Sequence, residues 1–150
     1  MAHPIRNSAK AVIVRDGALL LIRKEGDTGP YYIFPGGGQE KYEDLRAALR
    51  RECEEEIGCR VFVNDLLWIR EYIGRNHEFA AADAATHQVE FYFSCRMEDG
   101  ANPGIGPKPD AGQVAVEWIN LDRLPNTNVY PLSLRGEFVA PSRRYFGAVN

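Results

Sequence analysis

The sequence predicts an α+β fold, a mixed β-sheet with helices packed on it. Three observations carry that expectation. Short apolar and aromatic runs recur along the chain and read as strands, the stretch Leu45 to Ile57 has helical character, and the two do not alternate as regular βαβ units. At 150 residues the chain fits one domain, 1–150, large enough to bury a core without disulfides or structural metals.

The elements follow in chain order. Ala11 to Arg15, Asp16-Gly17 and Ala18 to Arg23 read as a β-hairpin, because Asp-Gly supplies the positive φ angles of a tight two-residue turn. The two apolar runs are nearly continuous, which predicts strands covered on both faces. Gly26 to Pro30 is expected as a loop, and Tyr31 to Phe34 as a short aromatic strand stopped by Pro35 and three glycines. Asp44 stands as N-cap of a helix over 45–57, and Gly58 is placed to end it. Further strands are expected near Arg60–Val63, Leu66–Tyr72, His87–Arg96 and Val114–Ile119. The Gly- and Pro-rich stretch Asp99 to Gly112 reads as a loop and Pro131 to Phe138 as a short helix; Phe79 to Thr86, with five alanines, is ambiguous.

Composition narrows the function classes. A net charge of −3 excludes non-specific attraction to nucleic acid or to membrane surfaces, so an anionic substrate needs a cation or a few placed Arg and Lys side chains. Three cysteines, Cys53, Cys59 and Cys95, without CxxC spacing fit small buried residues in a reducing cytoplasm. The start of the sequence has no apolar leader-like run, and no segment reaches the length of a membrane span, so a soluble cytoplasmic protein is expected.

The chemistry concentrates in the helix. At roughly 100° per residue, Glu52, Glu55 and Glu56 share an arc with Leu45, Ala48 and Leu49, whereas Glu54 points almost the opposite way. Like charges at this spacing oppose one another, and negative charge near a helix C-terminus opposes the macrodipole. Two readings follow: a solvated acidic face, or carboxylates gathered on a hard divalent cation such as Mg²⁺. Arg51 could pair with Glu55 one turn on. Upstream, Pro35-Gly36-Gly37-Gly38 is either a simple turn or a backbone cradle that approaches a metal-bound diphosphate.

Together these residues resemble the Nudix hydrolase signature: Gly, five residues, Glu, seven residues, Arg-Glu, an apolar residue, one residue, Glu-Glu, one residue, Gly and an apolar residue. Here the positions are Gly37, Glu43, Arg51-Glu52, Cys53, Glu55-Glu56, Gly58 and Cys59, a motif of 23 residues. Cysteine fills both apolar slots, as a small hydrophobe can. Tyr42 departs from the glycine that many members carry before the first glutamate. Val116 to Ile119 followed by Leu121 to Leu124 also looks like a common C-terminal strand and turn of the family.

The resemblance implies an α/β/α sandwich around a mixed sheet, with the motif as loop–helix–loop. It implies a pyrophosphohydrolase that uses Mg²⁺, with Mn²⁺ as a substitute, and a small-molecule nucleotide as substrate. Glu52, Glu55 and Glu56 would be metal ligands, with a carbonyl of Gly36 or Gly37 completing the set, and Arg51 and Glu43 would orient the site. Glu55 or Glu52 could serve as general base; so could Glu90, unless it is an exposed alternate position on its aromatic strand. Arg23 and Lys24 could contact phosphates, or be ordinary strand-end charges. Trp68, Tyr31, Tyr32 and Tyr130 could stack on a base or belong to the core, and His87 reads as a strand-edge residue. Substrate candidates are nucleoside triphosphates, nucleotide sugars and dinucleoside polyphosphates. The proline mark associated with ADP-ribose hydrolases is missing, and nucleic acid is disfavoured by the charge balance. Homodimers are common in the family. The competing class is a Nudix-fold module that binds or senses a nucleotide without hydrolysing it.

Overall fold

The computed structural model describes residues 4–76 and 84–150. Its centre is the Asp-Gly hairpin. Strand β1 (Arg6–Arg15) turns into β2 (Ala18–Gly26) through Asp16 at φ 51° and Gly17 at φ 75°, the two positive angles that this short turn requires. The strands pair only at Val14↔Leu19 and Arg15↔Ala18, and then part. Beyond the split, β1 runs antiparallel to β4 (Gly36–Gly38) and parallel to β6 (His87–Met97). Strand β2 lies between β3 (Gly29–Ile33) and β7 (Gln113–Asn120), both antiparallel to it. The outer strands are β5 (Val61–Ile73) against β6, β9 (Tyr145–Ala148) against β5, and β8 (Val129–Tyr130) against β3. The sheet is therefore two arms hinged at one turn.

Three local expectations change. Gly26 pairs with Gly29, so the expected loop shrinks to the turn at Asp27 and Thr28. The two strands foreseen between Arg60 and Tyr72 are one strand, β5, interrupted by register shifts between Val63 and Trp68. There Arg46 donates to the carbonyls of Val63 (2.7 Å) and Asn64 (2.6 Å), and Ser94 Oγ accepts from the Asp65 amide (3.1 Å), so the polar pair is absorbed as a bulge. The three glycines after Pro35 form a short strand rather than a free loop. Of the alanine-rich segment, residues 79–83 lie outside the described residues, and Ala84-Ala85 forms a turn.

Each face of the hairpin is covered. On one face, Ala9, Ala11, Ile13, Leu20 and Ile22 pack against Leu49, Cys53 and Ile57 of helix α1 (Leu45–Ile57). Burying Leu49 and Ile57 completely contributes about 1.5–3 kcal/mol each. On the other face, Val12, Leu19 and Leu21 meet Phe34, Trp68 and Tyr92 under Leu124 and Leu134. Those two leucines come from 3-10 turns, Leu121–Asn126 and Leu132–Phe138, so the second helical layer is built of tight turns. No helix among the described residues is long and apolar enough to cross a membrane.

Candidate active site

Helix α1 is set at both ends by local chemistry. The Asp44 carboxylate accepts from the Ala47 amide at 2.8 Å, and Gly58 adopts φ 67° beyond Ile57. The last carbonyls are closed by the loop between β6 and β7. The amides of Gly104, Gly106 and Lys108 donate to Ile57, Glu56 and Glu55 (3.2, 3.0 and 2.8 Å), and Gln113 Nε2 also donates to Glu56 O at 2.8 Å. A side chain at Gly106 would run into the Glu55 carbonyl, so glycine there permits the seal.

With the helix so fixed, its acidic residues separate by face. Glu54 is exposed, whereas Glu56 is only 3% exposed and continues the buried stripe. Glu56 Oε1 accepts from the Gly36 amide at 2.8 Å. Gly36 sits at φ 134° with its α-carbon against the Ala9 carbonyl, a position only glycine can fill. A Cβ on Gly37 would lie 2.6 Å from the Glu52 carboxyl carbon, so backbone and carboxylate touch there.

Arg51 ties the acids together. Its Nη2 donates to Glu43 Oε1 at 2.6 Å and its Nε to Glu43 Oε2 at 3.2 Å, a bidentate pair. Nη1 reaches Glu52 (3.0 Å) and Glu55 (3.3 Å), and Nη2 also donates to the Gly38 carbonyl at 3.0 Å. The bond to Arg51 holds the Glu43 carboxyl below its ordinary range. Burial pushes Glu52 up, opposed by Arg51. Burial pushes Glu56 further, to about 7, against the pull of Lys10 and the Gly36 amide.

A cavity of about 240 Å³ opens over Glu52, Glu56 and the three glycines. It adjoins a second of about 330 Å³, walled by Tyr31, Tyr72 and Tyr130, and Lys10, Gln88 and Asp110 line both. Among the described residues no three His, Cys, Asp or Glu side chains already converge on one point, because Arg51 holds Glu52 and Glu55 while Gly36 holds Glu56. The donor set nonetheless suits a hard divalent cation: the carboxylates of Glu52 and Glu56 line the cavity with glycine backbone directly beside them, unscreened by side chains.

The NUDIX domain model matches residues 4–136. The chain belongs to the Nudix family. A MutT Nudix hydrolase from Burkholderia pseudomallei has 29% sequence identity and a TM-score of 0.70, the match covering 92% of this chain and all of the other. A Nudix hydrolase from Nitrosomonas europaea superposes at TM-score 0.71 with 23% identity, covering 94% of this chain and 93% of its own. An ADP-ribose pyrophosphatase from Streptococcus suis shares the fold at TM-score 0.58 and 18% identity, covering 98% of this chain and 100% of its own. A Myxococcus xanthus protein named octanoyltransferase is 31% identical over 131 residues; the match spans 81% of this chain but only 34% of that protein.

The remaining candidates fall at different distances from the Nudix helix. Arg23 is not brought to either cavity: it pairs with Glu25 (3.0 Å) and Glu117 (3.2 Å). Neighbouring strand residues face opposite sides, so Lys24 lines the larger cavity instead, paired with Asp110 at 2.7 Å. Glu90 is neither exposed nor beside Glu52 and Glu56. It lies on the floor of the larger cavity, 3% exposed, accepting from Arg70 Nε (2.7 Å), Tyr92 OH (2.6 Å) and Gln88 Nε2 (2.8 Å). Burial would raise its pKa, but Arg70 and Lys10 prevail and hold it low. Tyr31 and Tyr130 meet edge to face at 6.0 Å on the cavity wall, whereas Trp68 is core, packed on Tyr92 and Phe138. Tyr32 donates to Glu117 (3.0 Å), and His87 pairs with Glu71 at 3.1 Å.

Sequence reasoning missed Lys10, Arg70 and Asp110. The first two left a trace, since Lys10 lies between two alanines and Arg70 follows the apolar run Leu66 to Ile69. Asp110 left none, because its place depends on how the loop folds back over the helix end.

Proposed function

We propose that this Nudix enzyme is a Mg²⁺-dependent hydrolase that cuts a pyrophosphate linkage in a nucleoside diphosphate joined to another moiety. The observation that carries the reading is the joining of two cavities, one floored by Glu52 and Glu56 and the other walled by tyrosines. An anhydride bridging them would put its charged middle at the carboxylates and an aromatic base among Tyr31, Tyr72 and Tyr130.

Glu52 and Glu56, joined by Glu55 and a carbonyl of Gly37, would hold Mg²⁺, with Mn²⁺ as substitute. A cation there would polarise the phosphoryl oxygens and activate a water for attack. The protein's own contribution is placement. Arg51 tethers Glu52 and Glu55 to the glycine strand, so neither must be ordered when substrate arrives. Glu52 or Glu55 is the candidate general base, in preference to Glu90, whose oxygens already accept three hydrogen bonds. The 29% identical protein named as a MutT Nudix hydrolase supports the hydrolase part of this reading.

The test is a panel of nucleoside triphosphates, nucleotide sugars and dinucleoside polyphosphates incubated with Mg²⁺ or Mn²⁺, with products resolved chromatographically. Release of a nucleoside monophosphate is expected. Glu56→Gln should keep the fold and lose roughly a hundredfold or more in turnover. Near wild-type turnover of that variant at saturating Mg²⁺ would refute the ligand assignment, and no cleavage of any compound would refute the substrate class.

A further inference from the structure

Three residues line both cavities, and two of them are already committed. Asp110 holds Lys24 at 2.7 Å, and Gln88 donates to Glu90 at 2.8 Å. The third is Lys10, half-buried on β1 between Gly36 of β4 and Tyr92 of β6. Among the described residues it makes no ion pair or side-chain hydrogen bond. The other cations of the larger cavity, Lys24 and Arg70, are each held by a carboxylate. Arg6 reaches only the smaller one.

Lys10 is surrounded by acids that it does not touch. Its charge pulls down Glu52, Glu56 and Glu90 together, against the burial that raises them. A lysine kept only to neutralise one carboxylate would close onto it, as Lys24 does onto Asp110. Lys10 instead leaves its ammonium between two sites, where a compact point charge with three rotatable donors suits a phosphoryl group. With a divalent cation over Glu52 and Glu56, those carboxylates cease to compete for it.

We propose that Lys10 is the phosphate contact at the junction of the two cavities. Its ammonium would grip the phosphoryl group that joins the moiety among the tyrosines to the bond being broken, laying the anhydride over Glu52 and Glu56. The inference rests on the hydrolase reading above and assigns to one residue the step from binding to alignment.

The experiment compares wild type, Lys10→Met and Lys10→Arg on whichever panel compound is cleaved, across a Mg²⁺ series that runs up to saturation. Mn²⁺ binding without nucleotide and thermal unfolding are measured alongside. The methionine variant should raise KM and lower kcat/KM roughly 10- to 100-fold, the loss expected for a hydrogen bond to a charged group. Arginine should restore most of that loss, and Mn²⁺ should bind the methionine variant no more weakly than wild type. If the methionine variant unfolds, Lys10→Gln is read in its place. A kcat/KM within twofold of wild type, or a defect erased by more Mg²⁺, would overturn the proposal and leave Lys10 a counter-ion for the glutamates. If wild type cleaves nothing on the panel, it is the hydrolase reading that fails. Calorimetric binding of inorganic pyrophosphate with Ca²⁺ then decides Lys10 by itself: weaker binding by the uncharged variant supports the contact, and equal binding overturns it.

Discussion

Replacing Gly37 with alanine isolates the contact between the glycine strand and the glutamate helix. Gly37 does not have a positive φ, so an alanine strains nothing in the backbone itself. The added methyl carbon would lie 2.6 Å from the Glu52 carboxyl carbon and 2.7 Å from both its oxygens. Ordinary contact begins at 3.4 Å, so the carboxylate must retreat by 3.4 − 2.6, or about 0.8 Å. It is the end of a flexible side chain, and β4 keeps its pairing with β1, so melting should shift by only a few degrees. A displacement of about 1 Å in a positioned catalytic group costs on the order of a hundredfold in rate. The assay is kcat and KM against Mg²⁺ concentration, with a melting curve on the same sample. A variant with wild-type kcat and an unchanged Mg²⁺ requirement would show that Glu52 does not need its present position, and the placement of the cation would have to be reconsidered.

Two further perturbations test the supports of the site. Arg70→Met strips Glu90 of its ion-pair partner in the buried pair and should cost about 3–5 kcal/mol at neutral pH. In wild type the folded pKa of Glu90 is depressed, so its contribution is complete above the unfolded value of about 4.3 and fades as pH falls through the folded one. Without Arg70, burial raises that pKa instead, so the deficit should shrink on acidification toward pH ~4; urea unfolding at several pH values reads this, and a deficit independent of pH would count against it. Gly106→Ala pushes a methyl group into the Glu55 carbonyl and should loosen the loop seal on α1, costing about 1–3 kcal/mol by urea unfolding. Faster amide exchange at Lys108 than in wild type should accompany it, and unchanged protection there would show that the seal does not depend on this glycine.

What could be read from the sequence was local. Asp16-Gly17 specified the turn, Asp44 and Gly58 the helix limits, and the spacing of Glu52, Glu55 and Glu56 their common face. Each is settled within a few residues, by φ preference, capping or helical period. The rest depended on partners far along the chain. Arg23 and Lys24 are equivalent in sequence, yet only the register of β2 with β3 and β7 decides which one faces the cavity. Glu90 could be placed on a face of its strand, but its burial and its bond to Arg70 follow from β5 lying beside β6. The Gly- and Pro-rich loop carried no signal that its amides would finish the helix.

The brief pairing of β1 with β2 has a consequence for how such a protein can diversify. The carboxylates and glycines that would perform hydrolysis are anchored to α1 and β4, on the β1 side of the hinge, whereas Tyr31 and Tyr130 belong to the β2 side. Among the described residues β1 and β2 pair with each other only beside the turn, at Val14↔Leu19 and Arg15↔Ala18. Exchanges on β3 and β8 can therefore reshape what is admitted while leaving the cutting apparatus in register, and a new clientele needs no new chemistry.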